Sequence, residues 1–124
     1  MPFDWRKFND VAEELSRSRT DAHIRSAVSR AYYAAHNVAR KLCQARGGGD
    51  RRHGELWLFL QRDQCSLGPH DTIGLVGEQL KCQRVDADYL DRKALKEFDV
   101  QKAMQRSRAI INDVDRLIEE MRNQ

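Results

Sequence analysis

Small or apolar residues return at threes and fours between Val100 and Met121: Val100, Ala103, Met104, Ser107, Ile110, Ile111, Val114, Leu117, Ile118 and Met121. A strand would alternate with a period of two, whereas this spacing puts every member on one side of a helix. The pattern predicts a long last helix from about Lys96 to Arg122, with a single seam that must be covered by other elements. Helical stability comes mainly from packing of such a face, so the remainder of the chain has to supply the cover. Only Pro2 and Pro69 interrupt the backbone's capacity for helix.

Four more segments fit that demand. Phe3 to about Ser16 reads as a first helix, with Phe8, Val11, Ala12 and Leu15 at helical spacing and Asp4 as its N-cap. The clearest is about Asp21 to Gln44. There Ile24, Ala27, Val28, Ala31, Ala35, Val38 and Leu42 form a narrow, alanine-rich stripe that lets another helix come close. Gly47, Gly48 and Gly49 end it. Arg52 to about Gln64 holds the run Leu56-Trp57-Leu58-Phe59-Leu60. Periodicity alone does not separate a buried strand from a buried helix there, but an isolated strand would have no partner, so the context favours helix. Ser66 to Pro69 is the next break. Asp71 to about Cys82 reads as a shorter helix capped by Asp71 or Thr72, with Ile73, Val76 and Leu80 inward and Gly74 and Gly77 weakening it. Arg84 to about Lys93 reads as a polar connection. The expected fold is therefore all-α, a helical bundle of four to five helices, with residues 1–124 as a single domain.

Composition narrows the function classes. The chain has 124 residues, 40% hydrophobic and 33% charged, with a net charge of +3. That balance suits a folded domain with a sizeable core, and the mild basic excess permits nucleic-acid contact without requiring it. No apolar run approaches the roughly 20 residues that span a bilayer. The opening MPFDWRKFND lacks the apolar core of a secretory signal, and Cys43, Cys65 and Cys82 make an odd number without close pairs. A cytoplasmic protein with free thiols and no membrane attachment is expected.

The side of the second helix opposite its stripe is unusual. It carries Ser26, Ser29, Arg30, Tyr33, Asn37 and Arg40, with His36 at the edge, and no carboxylate lies between Asp21 and Asp50. A solvated face ordinarily mixes Lys with Glu. Arg, Tyr and His suit phosphate or partner contacts instead.

Ser29-Arg30-Ala31-Tyr32-Tyr33-Ala34-Ala35 resembles the SRAYYA signature of the HEPN domain family. Phe3-Asp4-Trp5 with Val11-Ala12-Glu13-Glu14-Leu15, Arg52-His53-Gly54-Glu55-Leu56 after the glycines, and Arg84-Val85-Asp86-Ala87-Asp88-Tyr89 resemble it in the same order. The resemblance implies an up-and-down bundle of four or more helices that is often dimeric. Its members include partners of minimal nucleotidyltransferases in toxin–antitoxin pairs and metal-independent ribonucleases of defence systems. The ribonucleases carry Arg, four to six residues, then His. Arg30 and His36 have five residues between them, so the resemblance implies that they are the catalytic pair. Such cleavage uses the 2′-hydroxyl as nucleophile, an imidazole near its ordinary pKa of about 6.5 to move the proton, and a guanidinium on the phosphorane. Six helical steps set the two residues roughly 120° and about 9 Å apart, so the composite site requires two chains across a two-fold axis.

The expected partners are a second copy of the chain, RNA, and a nucleotidyltransferase antitoxin. Tyr33, Asn37, Arg40 and His53 are the expected RNA or interface contacts. The competing class is a non-catalytic module that binds a nucleotidyltransferase or another protein. No CxxC, HExxH or Cys–His cluster suggests a metal, and no cofactor is expected. His53 also reads as a surface or capping residue, and Asp86 and Asp88 as turn residues rather than a calcium loop. Arg17, Arg19, Arg51 and Arg52 form a basic end that is ordinarily only solvated.

Overall fold

The computed structural model describes residues 2–63 and 70–123, the side chains of 70 and 71 aside. Its elements are α1 (Lys7–Ser16), α2 (Asp21–Ala45), α3 (His53–Arg62), α4 (His70–Tyr89) and α5 (Glu97–Arg122). Among the described residues there is no strand, and the architecture is an all-α bundle of five helices. Among the described residues no helix is long and apolar enough to cross a membrane. The break at 66–69 and Cys65 lie outside the described residues, and Cys43 and Cys82 are free thiols.

α2 touches all four other helices. Ala27, Ala31, Ala34, Ala35 and Ala39 are fully buried along it, and with methyl groups only they let neighbouring backbones approach. Thr20 caps its start by accepting from the His23 N–H at 3.3 Å. The stripe is wider than the sequence suggests: Tyr32, His36 and Cys43 are buried as well. On α5 the seam is buried from Val100 to Leu117, while Ile118 and Met121 in the last turns are only half-buried.

Two elements depart from the sequence expectation. α1 begins at Lys7, not Phe3. Asp4 still accepts the Arg6 N–H at 3.1 Å, but Phe3, Trp5 and Phe8 pack ring against ring, with centroids 5.0 to 5.6 Å apart, and hold that segment out of helix. Val11 is exposed, and Asn9 takes the buried position, where its Oδ1 accepts from Ser107 of α5 at 3.1 Å. The apolar run of α3 is helix, with Leu56, Trp57 and Leu60 inward.

The largest departure is α4, which continues through the expected connection to Tyr89. Two tertiary contacts extend it. Arg84 is only 8% exposed, with its guanidinium over the rings of Tyr32, Tyr33 and Tyr89. Arg25 of α2 donates to the carbonyls of Asp86, Ala87, Leu90 and Lys93 at 2.7 to 3.2 Å. The guanidinium thereby binds carbonyls in the last turn of α4, Asp86 and Ala87, and two just beyond its end, Leu90 and Lys93. Asp86 and Asp88 are engaged by Lys93 and Arg84, as structural ion pairs.

Gly77 has a packing role that its low helix propensity conceals. A Cβ there would stand 2.1 Å from the Trp57 ring, so α4 meets α3 only because the side chain is absent. Gly77→Ala is expected to destabilise the bundle by about 1–3 kcal/mol through overpacking. Ala31→Leu should cost a similar amount, about 1–3 kcal/mol, at the α2 contact. Thermal melting of both variants checks this, and an unchanged midpoint for either would refute the contact assigned to it.

Candidate functional site

Between α1, α2 and the start of α3 lies one open groove of about 460 Å³. It is lined by Trp5, Phe8, Arg30, Tyr33, His36, Asn37, Arg40, Arg52 and His53. That volume suits a small-molecule or nucleotide-sized group rather than a single ion. The six residues named from sequence as catalytic or binding candidates all line it, although Arg30 and His36 are far apart around the helix. Trp5 and Phe8 of the first segment and Arg52 before α3 complete it.

Each wall has a local cause. Arg30 is exposed on α2, its guanidinium 5.0 Å from the centre of the Phe8 ring. Asn37 donates to the Tyr33 carbonyl at 3.0 Å and accepts from Arg40 at 3.4 Å, which ties three of the lining residues together along one helix face. Arg40 reaches Asp50 at 2.7 Å, and Arg52 stands 3.8 Å from the same carboxylate. Arg40 holds the Asp50 carboxyl below its usual range. No carboxylate lines the groove itself. Three guanidiniums line one concavity with a single carboxylate at its edge, an arrangement whose chemistry suits an anion.

Beneath the cations runs a chain of hydrogen bonds. Trp57 Nε1 donates to the Tyr32 hydroxyl at 3.2 Å, and that hydroxyl lies 3.0 Å from His53 Nδ1. The His53 backbone N–H donates to His36 Nε2 at 2.9 Å. The two imidazoles stack with centroids 4.7 Å apart. His53 has a φ of +50°, in the left-handed region that L side chains seldom enter.

Burial governs the protonation of this chain. His36 is 2% exposed and its pKa falls to about 4, first from desolvation and then from its neighbour His53, with Arg40 and Arg52 acting in the same direction and the Asn37 side chain opposing. The ordinary imidazole pKa expected at this position is thus corrected: His36 is neutral at pH 7. His53 is also pushed down, by burial and then by Arg84, Lys81 and Arg52. Burial raises the Tyr32 phenol to about 12, so it stays protonated. His36 Nδ1 and Arg40 Nε are buried without hydrogen-bond partners. Among the described residues no three His, Cys, Asp or Glu side chains gather to hold a metal ion.

Tyr32, Trp57 and Arg84 were not among the sequence candidates. Tyr32 sits on the shoulder of the α2 stripe, three residues before Ala35, and its inward placement could be read from that spacing. Nothing local marks Trp57 or Arg84, whose roles depend on where α3 and α4 dock.

The lowered pKa of His36 predicts a pH dependence of stability. The unfolded imidazole takes up its proton near pH 6.5, the folded one only near 4. The unfolded state therefore binds more protons between those values, so the contribution is complete above about pH 6.5 and is lost as the pH falls toward 4, by about 3 kcal/mol at most. Across that window the melting midpoint of the unmodified protein should fall more steeply than that of His36→Gln. Parallel slopes would show that His36 is not the group responsible.

No family model, curated protein or solved structure was found that matches this chain.

Proposed function

We propose that the chain is an RNA-directed module of a toxin–antitoxin or defence system that binds RNA phosphates in the groove of Arg30, Arg40 and Arg52. The observation that carries this reading is the gathering of three guanidiniums and two imidazoles in one groove that no carboxylate lines. The SRAYYA-type resemblance to the HEPN domain family supports the same direction. Arg guanidiniums match phosphate oxygens bidentately, and the neighbouring rings of Trp5, Phe8 and Tyr33 offer apolar surface beside them. The working location is the cytoplasm, where RNA is met.

Metal-independent cleavage is the fuller form of this reading. It uses a homodimer in which two copies of Arg30 and His36 face one phosphodiester across a two-fold axis. A second reading, a non-catalytic module whose partner is a nucleotidyltransferase antitoxin or another protein, is favoured by one observation. The Nε2 lone pair of His36 is taken by the His53 N–H, and the ring is buried. Proton transfer through His36 requires that bond to open.

Fluorescence anisotropy with a single-stranded RNA oligonucleotide tests the RNA reading. Binding should weaken with salt, and Arg30→Ala and Arg52→Ala together should raise Kd by about tenfold or more. Absence of binding by the unmodified chain would remove it. Light scattering should report a dimer, and Tyr33→Glu should shift it toward monomer by placing a charge in the contact. If the chain cleaves RNA, Arg30→Ala and His36→Ala should each abolish cleavage, and a chelator should leave it intact. Cleavage by His36→Ala at the unmodified rate would eliminate that pair and put the partner-module reading in front.

A further inference from the structure

Two imidazoles line the groove, and their hydrogen bonds give them different roles. The Trp57 indole can only donate, so the Tyr32 oxygen accepts from it at 3.2 Å. Tyr32 is fully buried, so its own O–H must find an acceptor within the protein. His53 Nδ1 stands in reach at 3.0 Å. That nitrogen is therefore the unprotonated one, and the neutral His53 ring carries its hydrogen on Nε2. No described residue accepts from Nε2, and the half-buried ring lines the groove. His36 is fixed the opposite way. Its Nε2 accepts the His53 backbone N–H at 2.9 Å, so its hydrogen is on Nδ1, inside the protein. The same bond holds His53 at its left-handed φ of +50°.

We infer that His53 is the imidazole that contacts the RNA phosphate, donating through Nε2–H as a neutral ring, and that His36 is a positioning residue which sets His53 by accepting its backbone N–H. This rests on the reading of the groove as an RNA phosphate site. The arrangement suits the surroundings. Burial, and then Arg84, Lys81 and Arg52, already bias the ring against a positive charge. A neutral donor adds a directed hydrogen bond to the phosphate without adding repulsion among the cations. Tyr32 and Trp57 keep the tautomer, and His36 keeps the backbone angle. Tyr32, Trp57 and His36 thus decide how His53 meets the phosphate.

Two measurements on the full-length chain test this. Long-range proton–nitrogen correlation spectra of histidine-labelled protein at pH 7 should show His53 as the Nε2–H tautomer and His36 as the Nδ1–H tautomer. Tyr32→Phe should turn His53 into a mixture. In anisotropy with the same RNA oligonucleotide, His53→Ala should bind about tenfold more weakly, the loss expected for one donor to a charged acceptor. His53→Gln, whose amide N–H falls near the place of Nε2–H, should recover most of that loss. His36→Leu should weaken binding and shift the His53 ring resonances, and His36→Gln, which can still accept the backbone N–H, should restore both. His53 found as the Nδ1–H tautomer in the unmodified protein overturns the proposal without any variant. His53→Ala binding as tightly as the unmodified chain, while Arg30→Ala with Arg52→Ala binds more weakly, also overturns it and leaves the RNA reading standing. No binding by the unmodified chain overturns the RNA reading and the His53 contact together.

Discussion

Every other part of the bundle depends on α2 being covered on almost all sides. Its alanines present only methyl groups, so α1, α4 and α5 pack close to its backbone, and α3 reaches its C-terminal half. A helix enclosed in this way has little surface left for solvent. Its polar residues must then find partners within the protein or line a concavity. The groove is the outcome of that constraint: where α1 and α3 fail to meet over α2, Arg30, Tyr33, Asn37 and Arg40 remain accessible between them.

The polar chain below the groove couples the site to the core. Trp57 belongs to the apolar face of α3, yet its indole N–H begins the series that ends at His53. Gly77 permits Trp57 to sit there, because any side chain at that position would occupy the ring's place. Packing between α3 and α4 therefore helps to set the orientation of an imidazole one turn earlier on α3, which shares the Tyr32 hydroxyl with Trp57. Arg84 adds a buried cation over the Tyr32 and Tyr33 rings, where the aromatic faces replace part of its lost hydration. Its charge, with Lys81 and Arg52, is one reason His53 stays neutral. The proposed anion binding thus rests on Arg30, Arg40 and Arg52, and the proposed directed donor is held by buried, uncharged neighbours.

Much of the architecture was legible in the chain. The period of 3.6 in α2 and α5 survives directly as burial of Ile24 to Leu42 and of Val100 to Leu117, since that spacing has only one way to face a core. The glycines after Ala45 end α2 as expected, with Gly47 and Gly49 at positive φ. The polar face of α2 was legible as a chemical anomaly, and its members share one groove. The ends of α1 and α4 were not legible. Aromatic packing by Phe3, Trp5 and Phe8 delays the first helix, and the guanidiniums of Arg25 and Arg84 prolong the fourth; the first is a local ring cluster that helical spacing does not show, and the second draws on contacts between residues distant in sequence.

The sequence by itself determined which residues can be helical, which faces are apolar, and which positions carry cations without carboxylates nearby. Those properties follow from local spacing and side-chain type. Only the tertiary structure decided that His36 is buried and spent as an acceptor, that His53 sits beside it with the opposite tautomer, and that Tyr32 rather than Tyr33 joins the hydrogen-bond chain. The physical reason is that protonation and tautomer depend on desolvation and on partners brought from other helices, such as Trp57 at 25 positions from Tyr32. No periodicity within one segment encodes a meeting of that kind.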